Sequence, residues 1–239
     1  MAEADTIPAS TAPESTKTQA GDSRPKIVHE EVYGKLRRAI IAGQLEPGRT
    51  LSVRGLAAEF GVSTMPAREA IRQLVALGAL ELTETRRVSV AQMNKAKLEE
   101  ISEARLALEP ALAARVLKQL KGRSAAREKL ALRLTRIDEQ LDRAIERGDS
   151  AAYARYNSEF HFKLYEAAKS PVYLGLVESL WLQIGPFMRV VIGRLGTSSL
   201  VDQHKEAISA LRADDAPKMA KAIRNDIGEG MSNIARADL

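Results

Sequence analysis

The part of this chain that most restricts its fold lies between Leu36 and Val90, where apolar stripes of helical period, each closed by a glycine, precede two short alternating runs. Val28, Val32, Leu36 and Ile40 recur every four residues and predict a helix over about 27–42, stopped by Gly43. Gln44 to Gly48 read as a turn punctuated by Pro47-Gly48. Ser52 is placed to cap a second helix carrying Val53, Leu56, Ala57 and Phe60 on one stripe, and Gly61 ends it. Ser63 is placed to cap a third. There Pro66 falls in the first turn, where a missing N–H costs little, and Ala67, Ile71, Leu74 and Val75 form the inner face up to Gly78. Ala79 to Leu82 and Val88 to Val90 then alternate as a two-stranded hairpin around a polar tip.

Helix, helix, turn, helix, hairpin is the layout of a winged helix-turn-helix, whose partner is double-stranded DNA. On the third helix Thr64, Arg68 and Arg72 stand four residues apart, opposite the apolar stripe. A guanidinium there can donate two parallel hydrogen bonds to guanine O6 and N7, so Arg68 is the expected base reader. Arg54, at the start of the second helix, and Arg86 and Arg87, at the wing tip, are expected at phosphate or the minor groove, and Ser63 completes the DNA-binding set. The alternative is that these arginines are solvated charges paired with Glu59, Glu69 or Glu84; it applies most strongly to Arg72 and to Arg49.

Charge adds little, since residues 26–92 hold 10 basic against 7 acidic side chains and the whole chain is only +5. The absence of cysteine excludes a disulfide framework and a thiolate zinc site. No apolar run approaches the roughly 18 residues of a membrane span and no signal-peptide order precedes the first helix, so the expected location is the cytoplasm, with no membrane partner. Residues 1–25, rich in Ala, Thr, Ser, Pro and Glu, are expected to be a disordered tail, 26–92 the DNA-binding domain, and 93–239 an all-helical domain.

The helical part opens at Asn94, a predicted N-cap. Leu98, Ile101, Leu108 and Leu112 mark one helix and Leu130, Leu134, Ile137 and Leu141 a second. Others are expected over about 150–169, from Val172 past Val191 with a kink near Gly185-Pro186, over 198–212 and over 216–236. The fold class is mainly α, a winged helix-turn-helix with a small β-hairpin wing followed by an all-α bundle.

Polar groups interrupt these stripes. Arg105 falls among Leu98, Ile101 and Leu112; His204 among Leu200, Ile208 and Leu211; Asp226 among Met219, Ala222 and Ile223; Asn157 and His161 lie one turn apart. An unpartnered buried polar group costs about 1–3 kcal/mol, so these are expected to face one another around a cavity. Imidazole with carboxylate suits Zn²⁺ and would also accept Ni²⁺ or Mn²⁺. The alternative is a hydrogen-bonded His161–Asp226 core pair with no metal.

Ile40-Ile41-Ala42-Gly43-Gln44-Leu45-Glu46-Pro47-Gly48, Leu56-Ala57-Ala58-Glu59-Phe60-Gly61-Val62-Ser63 and Pro66-Ala67-Arg68-Glu69-Ala70-Ile71 resemble the GntR family of bacterial transcription regulators, and the helical remainder is similar to the FCD effector domain of its FadR subfamily. The resemblance implies a homodimer on a short palindromic operator. Two positions depart from the family pattern: Thr64 stands where an arginine is common and Arg87 where the wing usually has glycine. The FCD metal pattern, Asp-x-x-x-His followed by two further histidines, falls on Asn157, His161, His204 and Asp226, with Asn and Asp exchanged in at the two ends. Arg105 matches an arginine directed at an acidic effector, which a guanidinium clamps bidentately, with Tyr153, Tyr156 and Trp181 as aromatic walls.

The expected function is thus a DNA-binding transcription regulator, more often a repressor in this family, controlled by a small carboxylate effector in a metal-containing domain. One alternative is a regulator for which the ion is itself the signal. Another is a metal-dependent enzyme, disfavoured because no separate general base accompanies His161, His204 and Asp226 and the DNA-reading part would be idle.

Overall fold

The structure, a computed structural model, describes residues 23–83, 87–195 and 203–236. Helix α1 (Ser23–Ile41) starts inside the segment read as tail, with Pro25 in its first turn, and buries Val32, Leu36 and Ile40 against α3 (Thr64–Ala76) through Ala67, Ile71 and Leu74. Between them runs α2 (Val53–Phe60). Ser52 Oγ accepts the Gly55 N–H at 2.9 Å, and Gly61 takes the left-handed conformation at φ 63° that only glycine adopts without strain. Ser63 occupies the N-cap position of α3 in extended conformation, but its side chain makes no capping hydrogen bond.

The wing is a three-stranded sheet rather than the predicted two-stranded hairpin. Besides β2 (Leu80–Leu82) and β3 (Val88–Val90), residues Thr50–Leu51 form β1, and the order is β1-β3-β2, antiparallel throughout. Two residues are too few to show an alternation, so this strand had no sequence signal. Its register sets Leu51 against Val88, and the turn before it is stitched to the same strand by Gly48 N–H to Val90 O at 2.9 Å and Val90 N–H to Arg49 O at 3.0 Å.

Among the described residues six helices follow: α4 (Lys95–Gln119), α5 (Ser124–Glu146), α6 (Ser150–Glu166), α7 (Pro171–Leu195), α8 (His204–Ala213) and α9 (Ala216–Arg236). Asn94 Oδ1 accepts the Lys97 N–H at 2.9 Å, as predicted. Helix α8 begins at His204 instead of 198; residues 196–202 lie outside the described segments. Helix α4 packs along α9, α5 lies against α6 and α8, and α7 bridges α4 and α6 to α1.

The residues Gly185-Pro186, where the sequence predicts a kink, lie inside the single helix α7. The glycine has another cause. A Cβ at Gly185 would stand 2.7 Å from Ile40 O and from Ile41 Cα, and one at Gly43, itself at φ 65°, would stand 2.7 Å from Arg189 Cβ. The two helices therefore meet backbone to backbone. Tyr33 donates to Glu178 Oε1 at 3.0 Å, Arg37 pairs with the same carboxylate, and Ser179 Oγ donates to Leu77 O at 3.2 Å. Burial, with the Glu178 charge beside it, pushes the Tyr33 phenol up to about 12.

Gly185→Val should therefore lower stability by about 1–3 kcal/mol in urea unfolding, as overpacking does. Gly175→Ala in the same helix, where an added Cβ meets nothing within 4 Å, should be neutral or stabilising. Equal stabilities of the two variants would disprove the close approach.

Candidate functional site

Two separate sites emerge, one at each end of the chain. In the head, Arg54, Ser63, Thr64, Arg68, Arg72 and Arg87 are all exposed, so none serves the core. Arg72 is tied to Glu69 by a 2.6 Å ion pair one turn back, the arrangement the surface reading anticipated. Arg54 and Arg68 have no ion pair among the described residues and stand into solvent from α2 and α3. Arg87 is placed by its backbone, whose N–H donates to Thr83 Oγ1 and whose carbonyl accepts from it, both at 3.1 Å. Arg86 lies outside the described residues. Met65, 72% exposed beside Thr64, was passed over in the sequence because an apolar side chain off the stripe gives no periodic signal.

In the helical part, His161 on α6, His204 at the start of α8 and Asp226 on α9 converge, their donor atoms all within 4.8 Å of one another. His161 Nε2 lies 3.0 Å from Asp226 Oδ2 and His204 Nε2 3.8 Å from Asp226 Oδ1. The far nitrogens are held from behind: His161 Nδ1 meets Tyr165 Oη at 3.1 Å and His204 Nδ1 meets Asp138 Oδ1 at 3.2 Å. Phe160 stacks on His204 with ring centroids 3.8 Å apart. Both imidazoles are fully buried, and both turn Nε2 toward one carboxylate.

The donor set fits a divalent ion. Two ligands about 2.0–2.1 Å from a tetrahedral ion lie about 3.3 Å apart, inside the spread of distances found here. His161 Nε2 is buried without an aligned hydrogen bond although Asp226 is beside it, as a nitrogen turned toward an ion would be. Carboxylate and hydroxyl partners on the rear nitrogens fix tautomer and orientation as they do behind metal-ligating histidines. Burial alone would raise the Asp226 pKa, but the His161 and His204 imidazoles and the Gln203 N–H together hold it well below the usual carboxylate range.

Asn157, one turn before His161, lines the same small cavity of about 30 Å³ with Arg105, Tyr153, Met188, Asp226 and Asn233. Arg105 is buried, and its charge is already met: Nε donates to Glu109 Oε1 at 2.6 Å, Nη1 reaches Met231 Sδ at 3.4 Å, and the guanidinium lies 4.6 Å from the Trp181 ring centre. Burial works against that charge, but Glu109 outweighs it and raises the Arg105 pKa. Glu109, with no exposed surface, also accepts from Tyr165 at 2.7 Å and from Trp181 Nε1 at 3.1 Å. Burial and the Glu109 charge raise the Tyr165 phenol well above its ordinary value.

Residues 28–90 match the gntR family of bacterial regulatory proteins, and residues 100–229, more than half of the chain, match the FCD domain. The chain belongs to the FCD-bearing gntR family. Among its relatives, the HTH-type transcriptional regulator McbR of Escherichia coli strain K12 is 27% identical over 188 residues, 77% of this chain and 82% of that protein. The gluconate operon transcriptional repressor of Bacillus subtilis strain 168 is 26% identical over 210 residues, 84% and 82% of the two. The solved structure of E. coli McbR/YncC has the same fold, with a TM-score of 0.78 at 24% identity over 87% of this chain and 97% of that one. As a member of the family the protein is a DNA-binding transcriptional regulator and not an enzyme. Among the described residues no helix is long and apolar enough to cross a membrane.

Within this gntR regulator, Asn157, His161, Asp226 and Arg105 border one cavity and His204 adjoins them, as the interrupted stripes predicted. Tyr156 does not join them. Its ring faces outward under the Arg155 guanidinium, 4.4 Å away, and lines a groove beside α5; Tyr153, one residue short of a full turn earlier, takes the cavity wall. Glu109, Tyr165 and Asp138 were missed. Each continues a helical stripe through a residue already singled out or buried: Glu109 is four residues after Arg105, Tyr165 four after His161, and Asp138 is four after the buried Leu134.

His161→Ala combined with His204→Ala should abolish retained divalent metal, read by plasma mass spectrometry of gently purified protein. Glu109→Ala should cost about 3–5 kcal/mol in urea unfolding because it strands the buried Arg105 charge.

Proposed function

We propose that this regulator binds its operator as a homodimer through Arg68, aided by Arg54, Ser63, Thr64, Arg72, Arg86 and Arg87, and that a divalent ion with a small organic acid in the helical domain controls that binding. The reader is residues 26–92, the effector and dimerisation domain is 93–239, and the setting is the cytoplasm, where the DNA is. The observation that carries the effector half is the convergence of two buried imidazoles, backed by Tyr165 and Asp138, on the Asp226 carboxylate. Zn²⁺ is the first candidate, with Ni²⁺ and Mn²⁺ compatible, and Asn157 is the fourth protein ligand. An ion held there would supply positive charge that attracts a carboxylate. One of the matched relatives is a gluconate operon transcriptional repressor, which supports repression as the mode.

Helix α7 supports the coupling. Met188 lines the small cavity and Trp181 lies against Arg105 and Glu109 beside it, while Glu178, Ser179, Gly185 and Arg189 of the same helix hold the head. A ligand that repositions Arg105 against Trp181 bears directly on the element that carries the DNA reader, and a ligand shifts an equilibrium only by such differential contacts.

A second reading, the ion as sole signal, is favoured by the size of the cavity. About 30 Å³ holds one water-sized group, so an organic acid has to displace Arg105 from Glu109 to enter.

Arg68→Ala should reduce specific operator retention in a mobility-shift assay by about ten- to a hundredfold, the loss of one bidentate base contact, with an unchanged circular dichroism spectrum. Undiminished binding would refute the groove assignment. Arg105→Ala should weaken the response to acids while metal content stays intact. Operator affinity that follows metal concentration with no acid present, and is indifferent to Arg105→Ala, would decide for the ion alone.

A further inference from the structure

A second cleft, distinct from the buried cavity, opens between the head and the helical domain. Its volume is about 630 Å³, within the range of pockets that enclose small organic ligands, and its walls come from α1, the following turn and α2 on one side and from α5 and α6 on the other. No residue of α3, β2 or β3 lines it, so it does not belong to the DNA-reading face.

The floor is apolar, built from buried Leu36, Leu45, Leu56 and Phe162. The rim is basic, with seven Lys or Arg against three Glu. Three of those cations are already committed: Lys35 to Glu31, Arg37 to Glu178 and Lys163 to Glu166. Among the described residues Arg38 and Arg49 on the head wall and Arg133 and Arg155 on the opposite wall have no carboxylate at ion-pair distance. All four are exposed at the opening, Arg155 lying over the Tyr156 ring.

An apolar floor beneath unneutralised guanidinium groups has one natural complement. We propose that this interdomain cleft binds an amphiphilic organic anion, a carboxylate on an alkyl or aromatic body, with the body on Phe162 and Leu56 and the head group held between arginines of both walls. Guanidinium suits such a head group because it forks onto two carboxylate oxygens. The site is independent of the metal-centred cavity, is far larger, and takes a more apolar ligand. Because its two walls belong to different domains, an occupant ties the head to α5 and α6 along a line that α7 does not cover.

The test uses the full chain and decanoate, with decylammonium as the same apolar body carrying the opposite charge, in titration calorimetry below micellar concentration. Decanoate should bind one to one and decylammonium should not. Arg133→Glu with Arg155→Glu, and separately Arg38→Glu with Arg49→Glu, should each weaken decanoate by about tenfold or more, equivalent to about 1.4 kcal/mol. These side chains are exposed, so circular dichroism and retained metal should match the parent protein, and His161→Ala with His204→Ala should bind decanoate normally. Failure of the parent protein to bind decanoate, equal binding of decylammonium, or undiminished affinity in both charge-reversed variants would overturn the proposal; loss of decanoate binding on removing the two histidines would move the anion to the metal cavity and overturn it equally.

Discussion

The carboxylate of Glu109 is the constraint around which the helical part is arranged. Fully enclosed, it receives hydrogen bonds from Arg105 on its own helix, from Tyr165 on α6 and from Trp181 on α7, so one ionised group fixes the relative rotation of three helices. An enclosed charge with fewer partners would be too costly to keep, which makes these contacts mutually dependent. Tyr165 passes the constraint to His161, and Trp181 passes it to the helix on which the head rests. The candidate site for an ion and the support of the DNA-binding head are consequently two ends of one polar network.

This also explains why Arg105 serves two purposes. As folded it balances Glu109, and its remaining guanidinium edge borders the small cavity beside Asp226 and Asn157. An acid entering as proposed would compete with Glu109 for the same cation. Any gain made with the ligand would be offset by what the glutamate, and through it Tyr165 and Trp181, give up, so occupancy would be felt along the network and not only at the site.

Much of this was legible in the sequence because helical period and glycine stops are strong signals, and because four polar residues on otherwise apolar stripes need a common destination. His161, His204, Asp226 and Asn157 were found that way. Glu109 was hidden for a physical reason: a glutamate four residues after an arginine is the ordinary sign of a solvated surface pair, and only tertiary packing reveals that this one is interior. Tyr156 was misplaced because it directly precedes Asn157 and adjacent positions on a helix diverge by about 100°, so telling it from Tyr153 needs the true orientation of α6. Strand β1 escaped because two residues show no period, and the close approach at Gly185 was not read because a glycine before a proline in a helix signals a kink first.

The pairing of β1 with β3 has a mechanical meaning. The chain leaving α1 is laced through that strand pair directly into the wing, so the helix that rests on α7 is joined to β3 by backbone hydrogen bonds as well as by the chain itself. A slight roll of α1 would thereby be carried into the sheet of the head, and in the proposed dimer it would alter the spacing between half-sites that the pair can span.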